Sequence, residues 1–311
     1  MLYHVLNLFE MLDSPGATGA EIVEYLKTFG AEGVTIESEE LVGEKGSTDI
    51  VHVMVPGSNG RSSGGEAPTL GIIGRLGGLG ARPERIGFVS DGDGALAALA
   101  AAAKLLSMHA RGDVLAGDVV ITTHVAPDAP TRPHFPVPFM DSPIDMKQMN
   151  DAEVRPEMEA IVSIDTTKGN RTINHKGFAI SPTVKQGYIM KISDDLVGVA
   201  ETVTGAPAMI FALSQQDITP YENGLYHLNS ILQPACATDA PVVGVAITTE
   251  VPVAGCATGA THETDVALAA KFAVEVAKYY GEGKISFVED DEFYTMVRLY
   301  GSAKRFQGIG E

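Results

Sequence analysis

FVSDGDGALAALAAAAKLLSM, residues 88–108, is the stretch around which the rest of the chain is read. It opens apolar, turns through two carboxylates, Asp91 and Asp93, set among glycines, and continues as an alanine-rich helix. Glycine lets the backbone turn tightly, and a turn at a helix start aims carboxylates at one point. A single anion is stabilised there by the positive helix end. Two anions this close repel unless a cation lies between them. A divalent metal is therefore one reading of Asp91 and Asp93. The other makes Asp91 a helix cap and Asp93 a solvated side chain.

Outward from that stretch, apolar strands alternate with helices. Upstream, residues 3–12 and 20–29 read as amphipathic helices, with Val5, Leu8, Phe9 and Leu12 on one stripe and Ile22, Val23 and Leu26 on the other. Alternation at 34–41 and 50–55 marks half-buried strands, the second carrying His52 as an ordinary strand side chain. A Gly/Ser-rich loop at 58–68 leads to a short apolar strand at 69–74. The glycines of GRLGGLG, 74–80, fit neither the P-loop nor the dinucleotide fingerprint. Downstream, 114–125 is a strong buried strand bearing His124, followed by the proline-rich APDAPTRPHFPVPF with Asp128 and His134. Residues 161–167 form another apolar strand with Asp165 at its end, and 177–193 give further strands. Residues 194–204 and 219–232 read as helical and 241–255 as a strand region, and within 257–280 His262 and Glu263 precede a long helix with Val266, Ala270, Phe272, Val276 and Tyr280 at its apolar positions. This alternation predicts an α/β fold, a three-layer α/β/α sandwich with a mostly parallel central sheet. Ligands in such sheets sit at strand carboxyl ends, where Asp91, Asp128, Asp165 and His262 fall. No internal repeat and no domain-scale linker interrupts 1–311, so a single domain is expected.

Composition narrows the function classes. Forty acids against 22 basic residues give a net charge of −18. That argues against nucleic acid, whose phosphates require Lys and Arg patches, and against anionic membranes, while a cationic ligand is compatible. Hydrophobic residues make up 45% of the 311, enough for a large core. The two cysteines, Cys236 and Cys256, form no CxxC pair, and the opening MLYHVLNLFEMLDS carries acids and no basic region. A cytoplasmic protein without a signal peptide or membrane span is expected. Cys256 lies six residues before His262, so a Cys–His pair is a separate option. Buried inert thiols are the ordinary alternative.

Taken together, the order of these motifs resembles the co-catalytic zinc exopeptidases, in particular the glutamyl-aminopeptidase and endoglucanase-M branch. The likeness runs from FEMLDSPGATGAEIVEYL through IGFVSDGDGALAALAAAAKLL, GDVVITTHVAPDAP, AIVSIDTT and GFAISPTV to THETDVALAAKF. A closer match to an uncharacterised bacterial family of unknown function is also suspected. The resemblance implies that Asp91, Asp128 and His262 hold one metal position, with Asp165 and Asp91 left of the other. It implies a divalent metal, zinc with manganese or cobalt as alternatives, and a homo-oligomer. Two departures stand out. Arg75 falls where the family has a histidine ligand, and Pro127 falls where it has its catalytic glutamate. Arg75 is then expected to bind a substrate carboxylate or to stand in for a cation beside Asp91 or Asp165. The base passes to His124, Glu263 or Asp93. No inserted lid or dimerisation domain is expected, because only about ten residues separate Gly80 from Asp91.

Three functions follow. The first is metal-dependent hydrolysis of a small peptide-like or N-acyl amino-acid amide by a degenerate site that retains one metal position. The second is non-catalytic binding of a small molecule or peptide on the same fold. The third is a purely structural role.

Overall fold

The structure is a computed structural model that describes residues 1–14, 16–75, 77–78, 87–133, 139–253 and 260–309. The chain starts with two helices, α1 (Leu2–Leu12) and α2 (Gly19–Lys27). The hairpin β1 (Thr35–Gly43) and β2 (Gly46–Val55) follows, and then β3 (Leu70–Gly74). The alanine-rich stretch forms α3 (Asp93–His109), and β4 is Val119–Val125. A small ribbon, β5 (Thr131–Arg132) with β6 (Phe139–Met140), precedes α4 (Met146–Glu153) and β7 (Ala160–Thr166). Then come β8 (Gly177–Ile180), β9 (Val184–Lys185), β10 (Tyr188–Ile189) and α5 (Asp194–Thr204). The last elements are β11 (Val242–Thr248), α6 (Glu263–Gly281) and α7 (Asp290–Tyr300).

The main sheet runs β1-β2-β4-β3-β7-β11-β9-β10, with β8 also on β11. Its centre, β4-β3-β7-β11, is parallel, and the flanking pairs are antiparallel. The expected α/β architecture with a mostly parallel centre flanked by helices is what the chain adopts. Central strands are apolar on both faces. On one face Leu70, Ile72, Val119, Ile121, Val162, Ile164, Val243 and Val245 pack under α1, α3, α5 and α6. On the other, Ile73, Val120, Ile161 and Val242 meet Phe211, Ile218, Ile231 and Leu232. That second layer is thin: α4 and the turn-rich segment 211–236 cover it, so the layering is asymmetric.

The alanines of α3 explain how the site is approached. A side chain at Gly74 would come within 2.5 Å of the Gly94 carbonyl and 2.7 Å of Ala98 Cβ. One at Gly94 would come within 2.3 Å of the Arg75 carbonyl. Helix and sheet therefore meet backbone to backbone, and only glycine and alanine fit there. This sets the start of α3 directly over the ends of β3 and β7.

Three local readings differ from the structure. Residues 219–232 are turns between 3-10 segments at Gln215–Ile218 and Gln233–Cys236, not a helix. Side chains there take up the backbone groups that a helix would use: Asp217 accepts from Leu228 N at 2.9 Å, and Gln233 bonds Thr219 O and Tyr221 N. The strand expected over 241–255 ends at Thr248, and α4 and α7 were not anticipated. Among the described residues no helix is long and apolar enough to cross a membrane.

Candidate functional site

The register places a row of side chains across the carboxyl end of the parallel strands. Gly74 pairs with Thr123 of β4 and Ile164 of β7, and Asp165 pairs with Ala246 of β11. One residue further on, His124, Arg75 and Asp165 lie side by side, all buried on the α4 face.

Arg75 is fully buried. Its Nε lies 3.3 Å from Glu153 Oε2, without hydrogen-bond alignment. Its Nη1 points to Met146 Sδ at 3.2 Å, and its Nη2 donates to Asn150 Oδ1. All three partners come from α4. Glu153 is likewise fully buried and takes His124 Nδ1 on Oε1 at 2.6 Å. His124 Nε2 accepts from the Gly77 N–H at 2.9 Å. That contact puts the ring proton on Nδ1 and leaves neither nitrogen for a reacting group. His124 was expected as a general base; the structure makes it part of a closed Arg75–Glu153–His124 knot. Arg75 likewise spends its charge on Glu153, although its field still favours the Asp165 carboxylate.

Beside the knot lies a more acidic group. Asp165 accepts from Thr166 N at 2.6 Å and from the Ser230 hydroxyl at 2.5 Å. Complete burial pushes its carboxyl well above the usual range, and the charge of Asp91 pushes the same way. Ser230 also hydrogen-bonds Tyr221, whose phenol is pushed up by burial and then by Asp165. Asp91 is 5% exposed, in the 3-10 turn Ser90–Gly92 before α3, with its Oδ2 against Gly78.

Asp93 opens α3 and is fully buried. Lys168 Nζ lies 2.9 Å from its Oδ2, and the Thr261 hydroxyl donates to Oδ1 at 2.7 Å. Burial raises the Asp93 carboxyl despite the ammonium, which opposes the shift, as does a protonated His262. The solvated reading of Asp93 is thereby excluded. His262 is the exposed residue preceding α6, its carbonyl taking the first helical N–H groups, and Glu263 follows half-buried.

Of the four expected ligands, then, Asp91 and Asp165 come within each other's field. Asp128 sits in an exposed turn beyond β4, between Pro127 and Pro130. Among the described residues no three His, Cys, Asp or Glu side chains gather into a metal shell. His134 and Cys256 lie outside the described residues. Cys236 is half-buried, and burial pushes its thiol up to about 12, which makes it inert. Sequence reasoning missed Glu153, Lys168, Ser230 and Tyr221. Only Lys168, three residues after Asp165, carried a signal near an expected ligand.

Comparison with known proteins adds a family and a fold. Residues 39–310 match a family described as "Protein of unknown function (DUF1177)", and the chain belongs to it. No curated protein matches. The LapA aminopeptidase of Legionella pneumophila is similar in structure, at a TM-score of 0.52 and 14% identity over 89% of this chain and 71% of that one. The cytosol aminopeptidase of Coxiella burnetii, at 0.48 and 15%, covers 89% of this chain and 68% of that one. The glutaminyl cyclase of Macrostomum lignano, at 0.48 and 11%, covers 92% and 90%. At these identities the likeness to LapA is one of fold.

Proposed function

We propose that this DUF1177 member is a peptidase-like hydrolase of a small peptide-like or N-acyl amino-acid amide, working at the carboxyl end of the parallel strands with one divalent cation. The observation that supports it is the placement of two buried carboxylates, Asp91 and Asp165, in each other's field. Carboxylate oxygens are hard donors that suit a divalent ion, so the donor pair fits a cation. Asp91 and Asp165 would hold it, with the exposed His262 as a further candidate and Asp128 the most distant in character. Zinc, with manganese or cobalt as alternatives, would polarise the amide carbonyl and acidify water.

The chain's own residues do the rest. Glu263, half-exposed where α6 begins, is the remaining candidate base, since Asp93 is held by Lys168 and Thr261 and His124 by Glu153 and Gly77. Ser230 and Tyr221 orient Asp165. Arg75 favours the Asp165 carboxylate from within its knot and does not reach out to a substrate.

A second reading, a binding protein without catalysis, draws on that same knot: the residues expected to act as base and substrate anchor already satisfy one another. Metal analysis of protein purified without chelator, with Asp91→Ala and His262→Ala as controls, separates the readings. So does a panel of peptides and N-acyl amino acids assayed with zinc, manganese or cobalt. Bound metal and turnover, both lost in Asp91→Ala, support the hydrolase. Ligand binding without turnover at any metal supports the binder. A cytoplasmic homo-oligomer remains part of this proposal, to be tested by sedimentation.

A further inference from the structure

We infer that the Asp93–Lys168–Thr261 contact is a positioning clasp that keeps three separate segments in register at the site. It rests on the cation reading above for its purpose, but not for its geometry. Asp93 follows Asp91 by two residues, Lys168 follows Asp165 by three, and Thr261 immediately precedes His262. Each partner thus belongs to a segment that carries one candidate ligand: the turn into α3, the exit of β7, and the start of α6. The contacts are short, at 2.9 Å and 2.7 Å, and use both carboxylate oxygens of one aspartate. Thr166 Oγ1 adds a weaker approach at 3.5 Å.

The lysine is presented from a fixed platform. Thr167 N donates to Ile247 O at 2.8 Å, and Gly169 N to Thr249 Oγ1 at 2.9 Å, so the backbone on both sides of Lys168 is tied to β11 and its exit. The Lys168 side chain is only 5% exposed. Capping does not require this arrangement, because an aspartate in the first turn of α3 is already favoured by the helix dipole. Stability does not require it either, since buried ion pairs are often matched by apolar pairs of similar volume. What the contact supplies is one polar point shared by three segments far apart in sequence, added to the backbone packing of α3 on the strands. Lys168 and Thr261 are thus positioning residues, acting through Asp93.

The test uses the full chain. Manganese and zinc chloride are titrated calorimetrically into wild type, Asp93→Leu/Lys168→Met, which removes both carboxylate oxygens as well as the ammonium, and Lys168→Arg. Backbone hydrogen exchange is followed over 88–94, 164–168 and 260–266. The double variant removes both charges together, so thermal unfolding close to wild type is expected. Its manganese affinity is expected to fall about tenfold to a hundredfold, the usual cost of losing a partner behind a ligand, with Lys168→Arg recovering part of it. Exchange is expected to rise in all three segments at once. Wild-type affinity in the double variant, or faster exchange in one segment alone, overturns the clasp. Should wild type take up neither metal, the cation reading falls by itself and exchange alone decides. A joint rise keeps the clasp, and an isolated rise or none removes it. If the double variant does not fold, Thr261→Val serves instead. Faster exchange in both 88–94 and 260–266 supports the clasp, and an unchanged rate in either overturns it.

Discussion

Arg75, His124 and Glu153 are as deeply buried as Asp91, Asp93, Asp165 and Lys168, yet the two groups handle charge differently. In the first, one guanidinium faces one carboxylate, and the imidazole spends both nitrogens within the protein. In the second, Lys168 pairs with Asp93, and the charges of Asp91 and Asp165 raise each other's energy. A guanidinium does not lose its proton in a protein, so Arg75 has no escape when its carboxylate is removed. A carboxylate can take up a proton instead. The second group therefore has a soft response, to protons or to a cation, that the Arg75 guanidinium lacks. The closed group reads as framework and the acidic one as the place where a ligand acts.

Glu153→Ala probes this contrast most strongly. It leaves Arg75 buried without its carboxylate and His124 Nδ1 without its acceptor. A loss of about 4 kcal/mol is expected, as for breaking a buried pair from one side. Urea unfolding should show the cost of the stranded guanidinium at pH 5 as well as at pH 8. A loss below about 1 kcal/mol would mean that the knot is no more than a surface-grade pair.

Lys168→Met sharpens the other side. Asp93 loses its ammonium, but protonation relieves it, so the expected cost is about 3 kcal/mol at pH 8 and shrinks toward pH 5. A cost that does not vary with pH would show that Asp93 stays charged in the variant, and the contrast with Glu153→Ala would disappear.

Asp165→Asn tests the linkage directly. The Asp165 carboxyl is raised in the folded protein, so between the ordinary carboxylate value near 4 and the folded value the native state holds more proton than the unfolded chain. Stability of the cation-free protein then falls as pH rises through that window, by up to about 1.4 kcal/mol per pH unit. The variant should remove that part of the slope. Denaturant midpoints measured from pH 4 upward check it, and a slope unchanged in the variant would place the proton elsewhere.

The sequence made part of this contrast legible. Asp91 and Asp165 stood out because each carboxylate ends an apolar run, where burying a charge demands compensation. The α/β layering was readable from the alternation of apolar strands with the alanine helix. The closed knot was not. MKQMNDAE of α4 looks polar, and only the folded register reveals that Asn150 and Glu153 face Arg75 and His124. Lys168 in TTKGN resembles a solvated turn lysine until α3 is laid over the strand ends. The stretch 219–232 misled because its apolar spacing suits a helix. In the fold, Glu222 at φ 71 and Gly224 at φ 78 bend the chain, and Asp217, His227 and Gln233 hold the turns. Such tertiary side-chain bonds leave no periodic trace.

The smallest expected effect separates charge from hydrogen bonding inside the acidic group. Thr261→Val keeps the shape of the side chain and the Lys168–Asp93 pair but deletes the 2.7 Å bond to Asp93 Oδ1. Because that oxygen stays buried, the loss should be about 1–2 kcal/mol, well below Lys168→Met at pH 8. Thermal unfolding of the two variants side by side measures the ratio. If the threonine variant loses as much as the lysine variant, the hydroxyl rather than the ammonium sustains the Asp93 carboxylate. The acidic group would then be locked by neutral bonds, much as the knot is locked by Gly77 and Asn150, and its capacity to answer protons or a cation would have to reside in Asp91 and Asp165 alone.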